Sequence, residues 1–182
     1  MVTKPRMSVF IDAEYVINSA KSIKGKPFGV NISKGSINWS NLANNAARIG
    51  NLQHTYYYTS ILNKNENKET YNDQERHLEK LQSLGIVTKL GKMVKIKDTW
   101  VQKGVDIQMA IDIVMEKCDI AVLITGDSDF EPAVKKSKEY GKEIFLVTFA
   151  RNGGQTPKDF IDICDSHDVI DYGTGKRNGI WN

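Results

Sequence analysis

The chain has 182 residues, 40% of them hydrophobic and 26% charged. That suits one ordinary soluble globular domain with a core large enough to need no disulfide staples, not a disordered chain. A net charge of +3 and a pI near 8.7 are too mild to mark a nucleic-acid binder by themselves, so the placement of the charges matters more.

Cys118 and Cys164 are far apart and in no CxxC pair, and His54, His77 and His167 are scattered. A disulfide framework and a zinc site are therefore not expected. Lys4 and Arg6 precede only a short apolar run, Val9–Ile11, broken by Asp12, which does not make a signal peptide. No stretch approaches the roughly 20 apolar residues of a membrane helix. The expected location is the cytoplasm, with free thiols and no membrane partner.

In chain order, residues 1–6 read as an N-terminal extension and residues 7–172 as the domain. Met7–Ile11 is a buried strand ending at Asp12, and Glu14 to about Lys24 a short helix. Residues 24–36, rich in Gly, Lys and Pro, read as a loop. Asn38 or Ser40 caps a helix carrying Leu42, Ala46 and Ile49 on one face, closed by Gly50. Thr55–Ile61 is aromatic and β-branched, hence a strand. After a polar loop at Asn63–Asn67, Thr70–Leu84 is an amphipathic helix with Leu78 and Leu81 inward. Ile86–Leu90 is a strand. Lys92–Lys97 alternates apolar and basic residues and suggests a short hairpin arm with a lysine-rich face.

A helix follows at Gly104–Lys117. Ala121–Thr125 is a buried strand, Gly126–Asp129 a tight turn, and Phe130–Tyr140 a helix ended by Gly141. Ile144–Phe149 is another buried strand and Pro157–Cys164 a last short helix. Val169–Tyr172 is read as an edge strand and residues 173–182 as a flexible tail. Strands that are continuous apolar runs, alternating with helices, predict one parallel α/β sheet with helices on both faces.

Ligands of an open parallel sheet bind at the carboxyl ends of its strands. Asp12 and Glu14 follow the first strand, and Asp127 and Asp129 follow Ala121–Thr125. Asp106 lies in the first turn of a helix that starts at the same edge. Each alone could be a turn residue, a cap or a partner of the helix dipole, and Ser128 or Asp129 is expected to do some capping. Together they predict like charges crowded on one rim with no obvious lysine or histidine among them. A hard divalent cation, Mg²⁺ or Mn²⁺, is the natural counter-charge, and it would suit phosphodiester hydrolysis. Asp112 lies about 240° further round the helix than Asp106, on the side of Gln108 and Glu116, and reads as part of a polar face.

The segments FIDAEYV (Phe10–Val16), QKGVDI (Gln102–Ile107), TGDSDF (Thr125–Phe130) and YGKEIFLV (Tyr140–Val147) resemble the NYN domain family, in particular its LabA-like branch. The resemblance covers roughly residues 7–172. It implies a single-domain PIN-like (Rossmann-like) fold and a metal-dependent nuclease, a ribonuclease before a deoxyribonuclease. It carries the metal-binding and catalytic acids onto Asp12, Asp106, Asp127 and Asp129, the set reached from the strand ends. Thr125 and Ser128 would support them. The first motif departs from the family: Tyr15 stands where Asn is usual, which bears on substrate positioning.

Lysines cluster at Lys21, Lys24, Lys26 and Lys34, and at Lys89, Lys92, Lys95, Lys97 and Lys103 beside Trp100. Basic side chains near an acidic metal site could hold a phosphate backbone, with Lys103, Lys24 and Lys95 the first candidates, against a plain solvated surface. RNA is the expected partner, DNA a second choice, and a homodimer is compatible with the pattern. Two further readings compete: a non-catalytic RNA- or protein-binding module that keeps the acidic pocket, and a phosphatase of another Asp-rich class. The latter wants Asp-x-Asp after the first strand, whereas Asp12-Ala13-Glu14 stands here.

Overall fold

In a computed structural model the structure describes residues 3–97 and 99–181, so Met1 and Val2 of the N-terminal extension and Asn182 of the tail lie outside the described residues. Seven strands form one sheet in the order β4-β3-β2-β1-β5-β6-β7. They are β1 (Arg6–Asp12), β2 (Asn51–Ile61), β3 (Val87–Ile96), β4 (Thr99–Lys103), β5 (Ile120–Ile124), β6 (Glu143–Phe149) and β7 (Ser166–Ile170). All neighbours run parallel except β3 and β4. The expected α/β class is therefore the observed one.

Both faces of the sheet are covered, and the pleat sends alternate residues to each. Met7, Val9 and Ile11 of β1, Val122 and Ile124 of β5, and Val147 and Phe149 of β6 point to one core, where they meet Val16, Leu42, Leu81 and Trp181. Phe10, Leu123, Ile144 and Leu146 point to the other, against Met109, Ile113, Val134 and Phe160. This two-sided burial makes the central strands read as unbroken apolar runs.

The helices are α1 (Ala13–Lys21), α2 (Trp39–Ala46), α3 (Lys68–Ser83), α4 (Val105–Met115), α5 (Glu131–Glu139), α6 (Lys158–Asp162) and α7 (Tyr172–Arg177). Their starts follow local chemistry. Asn38 caps α2 by accepting the Asn41 N–H at 2.9 Å, and Asn67 caps α3 by accepting that of Thr70 at 2.9 Å. Such caps satisfy donors that a helix start leaves unpaired.

The hairpin arm expected at Lys92–Lys97 is there: it continues β3, and Thr99–Lys103 returns beside it antiparallel as β4. The structure differs from the sequence expectations in two other places. Helix α2 stops at Ala46, leaving Ile49 53% exposed. The tail expected to be flexible is folded over its described part. Residues 172–177 form α7 in place of the end of an edge strand, and Trp181 is buried. The Trp181 indole N–H donates to the Tyr172 carbonyl at 3.0 Å, and the Asn38 N–H donates to the Ile180 carbonyl at 2.7 Å. The indole lies so close over Gly175 that no Cβ would fit there.

Candidate active site at the carboxyl end of the sheet

The chain builds outward from β1 in both directions, through β2 and β3 on one side and β5, β6 and β7 on the other. The carboxyl ends of β1 and β5 therefore flank the point where the winding reverses, the crevice in which such sheets bind ligands. Asp12 is the last residue of β1 and Thr125 directly follows β5.

Asp12 is fixed at both oxygens. One accepts the Tyr15 N–H at 3.0 Å, capping α1, and the other accepts the Thr125 hydroxyl at 3.1 Å. Thr125 is fully buried, and its oxygen accepts the Asp127 N–H at 3.3 Å. Asp127 in turn accepts the Asp129 N–H at 2.9 Å and opens the 3₁₀ turn Ser128–Phe130 that leads into α5. The capping expected of Ser128 or Asp129 thus falls to Asp127 and concerns the 3₁₀ turn; α5 itself starts after Phe130 without a side-chain cap. Gly126 is required here. A Cβ on it would stand 2.5 Å from Tyr15 Cε2 and 2.8 Å from Thr156 Oγ1.

Asp106 enters from the far side, in the first turn of α4, after Gly104 turns the chain with a left-handed φ of 81°. Glu14 accepts a hydrogen bond from the Gln102 side-chain amide of β4, which ties the β3–β4 hairpin to the rim.

The electrostatics identify these acids as one group. Burial pushes the Asp12 carboxyl up to about 6; the Tyr15 and Thr125 hydrogen bonds pull it down, while Asp106 and Glu14 push it further up. Asp106 is raised by burial first and then by Asp127, Glu14 and Asp129. Neighbouring carboxylates thus act on both Asp12 and Asp106, and among the described residues no lysine or arginine forms an ion pair with Asp12, Asp106, Asp127 or Asp129. An oxygen-only, mutually repelling set is the donor chemistry of a hard divalent cation. Among the described residues no three His, Cys, Asp or Glu side chains already converge on a single point. The acids share a field and a rim, but their carboxylates are not drawn together as a finished cage.

The lysines divide. Lys103 ends β4 just before Gly104, beside the rim, whereas Lys95 pairs with Trp100 three residue pairs further out along the hairpin. Lys24 stands on the opposite side, its N–H donating to the Ala150 carbonyl at 2.8 Å. Sequence reasoning passed over Tyr15 as a scaffold, Gln102 and Arg151. The Tyr15 hydroxyl accepts the Phe149 N–H at 3.1 Å, and the Arg151 guanidinium lies over the Tyr15 ring, 5.4 Å from its centre. The only signal at Tyr15 was the bulky aromatic in place of the usual Asn.

The profile of the NYN domain family matches residues 6–171. The chain belongs to the NYN domain family. That membership supports, in general terms, a nuclease acting on nucleic acid. The NYN domain here is also similar in fold to a crystal structure of a protein of unknown function from Vibrio parahaemolyticus RIMD 2210633. The TM-score is 0.68 at 17% sequence identity, over 94% of this chain and 96% of that one; at that identity the likeness speaks for the fold alone. A search of curated proteins gives no match.

Proposed function

We propose that this NYN domain is a divalent-metal-dependent ribonuclease of the LabA-like, PIN-like kind, with Mg²⁺ or Mn²⁺ as its cofactor. The observation that carries the reading is the partly buried Asp12 carboxyl at the end of β1, held by Tyr15 and Thr125 with no lysine or arginine paired to it among the described residues, and with burial, Asp106 and Glu14 all raising its proton affinity. Burying like charges costs several kcal/mol unless a counter-charge arrives, and a bound cation is the counter-charge this donor set takes.

Asp12, Asp106 and Asp127 would hold the cation. Asp129 would hold it too, or orient the attacking water through a carboxylate oxygen. Thr125 keeps one Asp12 oxygen aimed by hydrogen bonding, and Ser128 supports the turn that presents Asp127 and Asp129. When bound, the cation supplies positive charge to the phosphodiester and to the attacking water. Lys103, Lys24 and Lys95 would contact the strand's phosphates, with DNA a weaker substrate class than RNA. The proposed location is the cytoplasm; no helix among the described residues is long and apolar enough to cross a membrane.

The alternative is a non-catalytic RNA- or protein-binding module that retains the acidic pocket. One observation favours it: no three acids yet converge on one point. Cleavage of end-labelled single-stranded and hairpin RNA by purified protein, with Mn²⁺, Mg²⁺ or EDTA, separates the two. The nuclease reading expects cleavage that needs the metal and disappears in Asp127→Asn. RNA binding without cleavage under any metal would sink it in favour of the module.

A further inference from the structure

We propose that Arg151 and Lys24 form a subsite for a backbone phosphate of single-stranded RNA, beside the acidic rim, with Arg151 carried on the Tyr15 ring. The inference deepens the ribonuclease reading and rests on it for the identity of the strand. It concerns a cavity of about 230 Å³ at the carboxyl ends of β6 and β7, lined among others by Lys24, Thr148, Arg151, Gln155, Thr156 and His167.

Its position ties it to the acids. Thr156 and the Tyr15 ring both pack onto Gly126, the residue directly before Asp127. Tyr15 reaches both places at once: its N–H holds Asp12, and its ring carries Arg151.

The charge is available. Of the five arginines, Arg6, Arg48 and Arg76 are paired with Asp119, Asp168 and Asp73, and Arg177 donates to the Thr174 hydroxyl. Among the described residues Arg151 and Lys24 have no carboxylate partner. His167 adds no charge at neutral pH. Burial holds its imidazole below the usual value, although Asp168 opposes this, and its Nε2 lies 2.7 Å from the Thr148 hydroxyl.

The backbone is fixed as well. Ile23 and Arg151 form an antiparallel bridge, with Lys24 N–H to Ala150 O and Asn152 N–H to Ser22 O both at 2.8 Å. A guanidinium held over an aromatic face, on a bridged backbone, is placed to give two parallel hydrogen bonds to a phosphate. Lys24 adds a point charge, and Gln155 and Thr156 offer polar groups at the wall.

The test is fluorescence anisotropy with a labelled single-stranded RNA and the full chain in EDTA, across a salt series, with cleavage in Mn²⁺ scored separately. Arg151→Ala and Lys24→Ala are each expected to weaken binding about tenfold and to lower the salt slope by about 0.7. Arg151→Lys, which keeps the charge but not the fork, should fall between. Lys117→Ala, exposed just before β5 at the opposite, amino-terminal edge of the sheet, should match the wild type. The same losses are expected on single-stranded DNA of matched sequence, because the contact is to phosphate; a loss confined to RNA would contradict a phosphate site. Unchanged binding in Arg151→Ala or in Lys24→Ala, or no RNA binding by the wild type, overturns the subsite. Binding that depends on Arg151 in a protein that never cleaves would uphold the subsite while removing the nuclease reading.

Discussion

Helix α4 bears acids with opposite fates. Near its carboxyl end, Asp112 accepts the Tyr58 hydroxyl at 2.9 Å and lies 3.3 Å from Lys89 Nζ. The residue that caps the helix, Glu116, accepts from Ser8 at 2.9 Å and Tyr56 at 2.9 Å, and its other contact is His54 Nδ1 at 2.8 Å. Burial pushes the Glu116 carboxyl up, but the hydrogen bonds from His54, Tyr56 and Ser8 outweigh it and hold the group below the ordinary range. At the amino end Asp106 is raised, in a crowd of other carboxyls. An acid is given hydrogen-bond and cationic partners by the fold at one end and no cationic partner among the described residues at the other. That contrast separates an acid that holds the structure from one that the proposed function assigns to a cation.

The largest effect that would break this comparison is on cleavage. Asp12→Asn and Asp127→Asn are each expected to lower RNA cleavage by at least about 10²-fold while leaving the fold intact by circular dichroism. Glu116→Gln should leave cleavage within a few-fold. Loss of activity in Glu116→Gln at full folding would erase the distinction.

Stability should move the other way. Glu116→Gln leaves donors on Ser8, His54 and Tyr56 poorly matched, and is expected to cost about 1–3 kcal/mol in urea unfolding. Tyr58→Phe, which removes one hydrogen bond to Asp112, should cost about 1 kcal/mol. Equal losses from Asp127→Asn would argue that the rim is structural too.

The pH dependence sharpens the contrast with a smaller signal. In the metal-free fold Asp12 binds its proton more tightly than in the unfolded chain, because burial raises it to about 6. The stability from that proton is present in full below the ordinary carboxylate value of about 3.9 and is lost as pH rises through about 6. Urea midpoints in EDTA should fall across that window in the wild type and fall less in Asp12→Asn. Glu116, held low, contributes the opposite slope at more acid pH.

Much of this was legible in the sequence because two-sided burial writes itself as continuous apolar runs, as in Ile120–Ile124 and Ile144–Phe149. The placement of Asp12 and Asp127 at the carboxyl edge was legible for a related reason, since a rule about strand ends needs only the strands. The angular offset of Asp112 from Asp106 also separated them correctly, although Asp112 turned out to be a tyrosine partner more than a solvated group. What could not be read were contacts between distant segments. Trp181 lies in a polar tail whose anchors are Ile37, Asn38 and Gly175, and nothing local announces them. Strand β4 was missed because it is an edge strand whose exposure leaves no apolar run. Arg151 became visible only once Tyr15 was seen beneath it.

The most direct test of the central claim is calorimetric titration of Mn²⁺ into purified, EDTA-stripped protein. The account expects saturable binding in the wild type and in Glu116→Gln, and a loss of at least about tenfold in affinity in Asp12→Asn and in Asp106→Asn. No binding by the wild type, or equal binding in all four proteins, would contradict it.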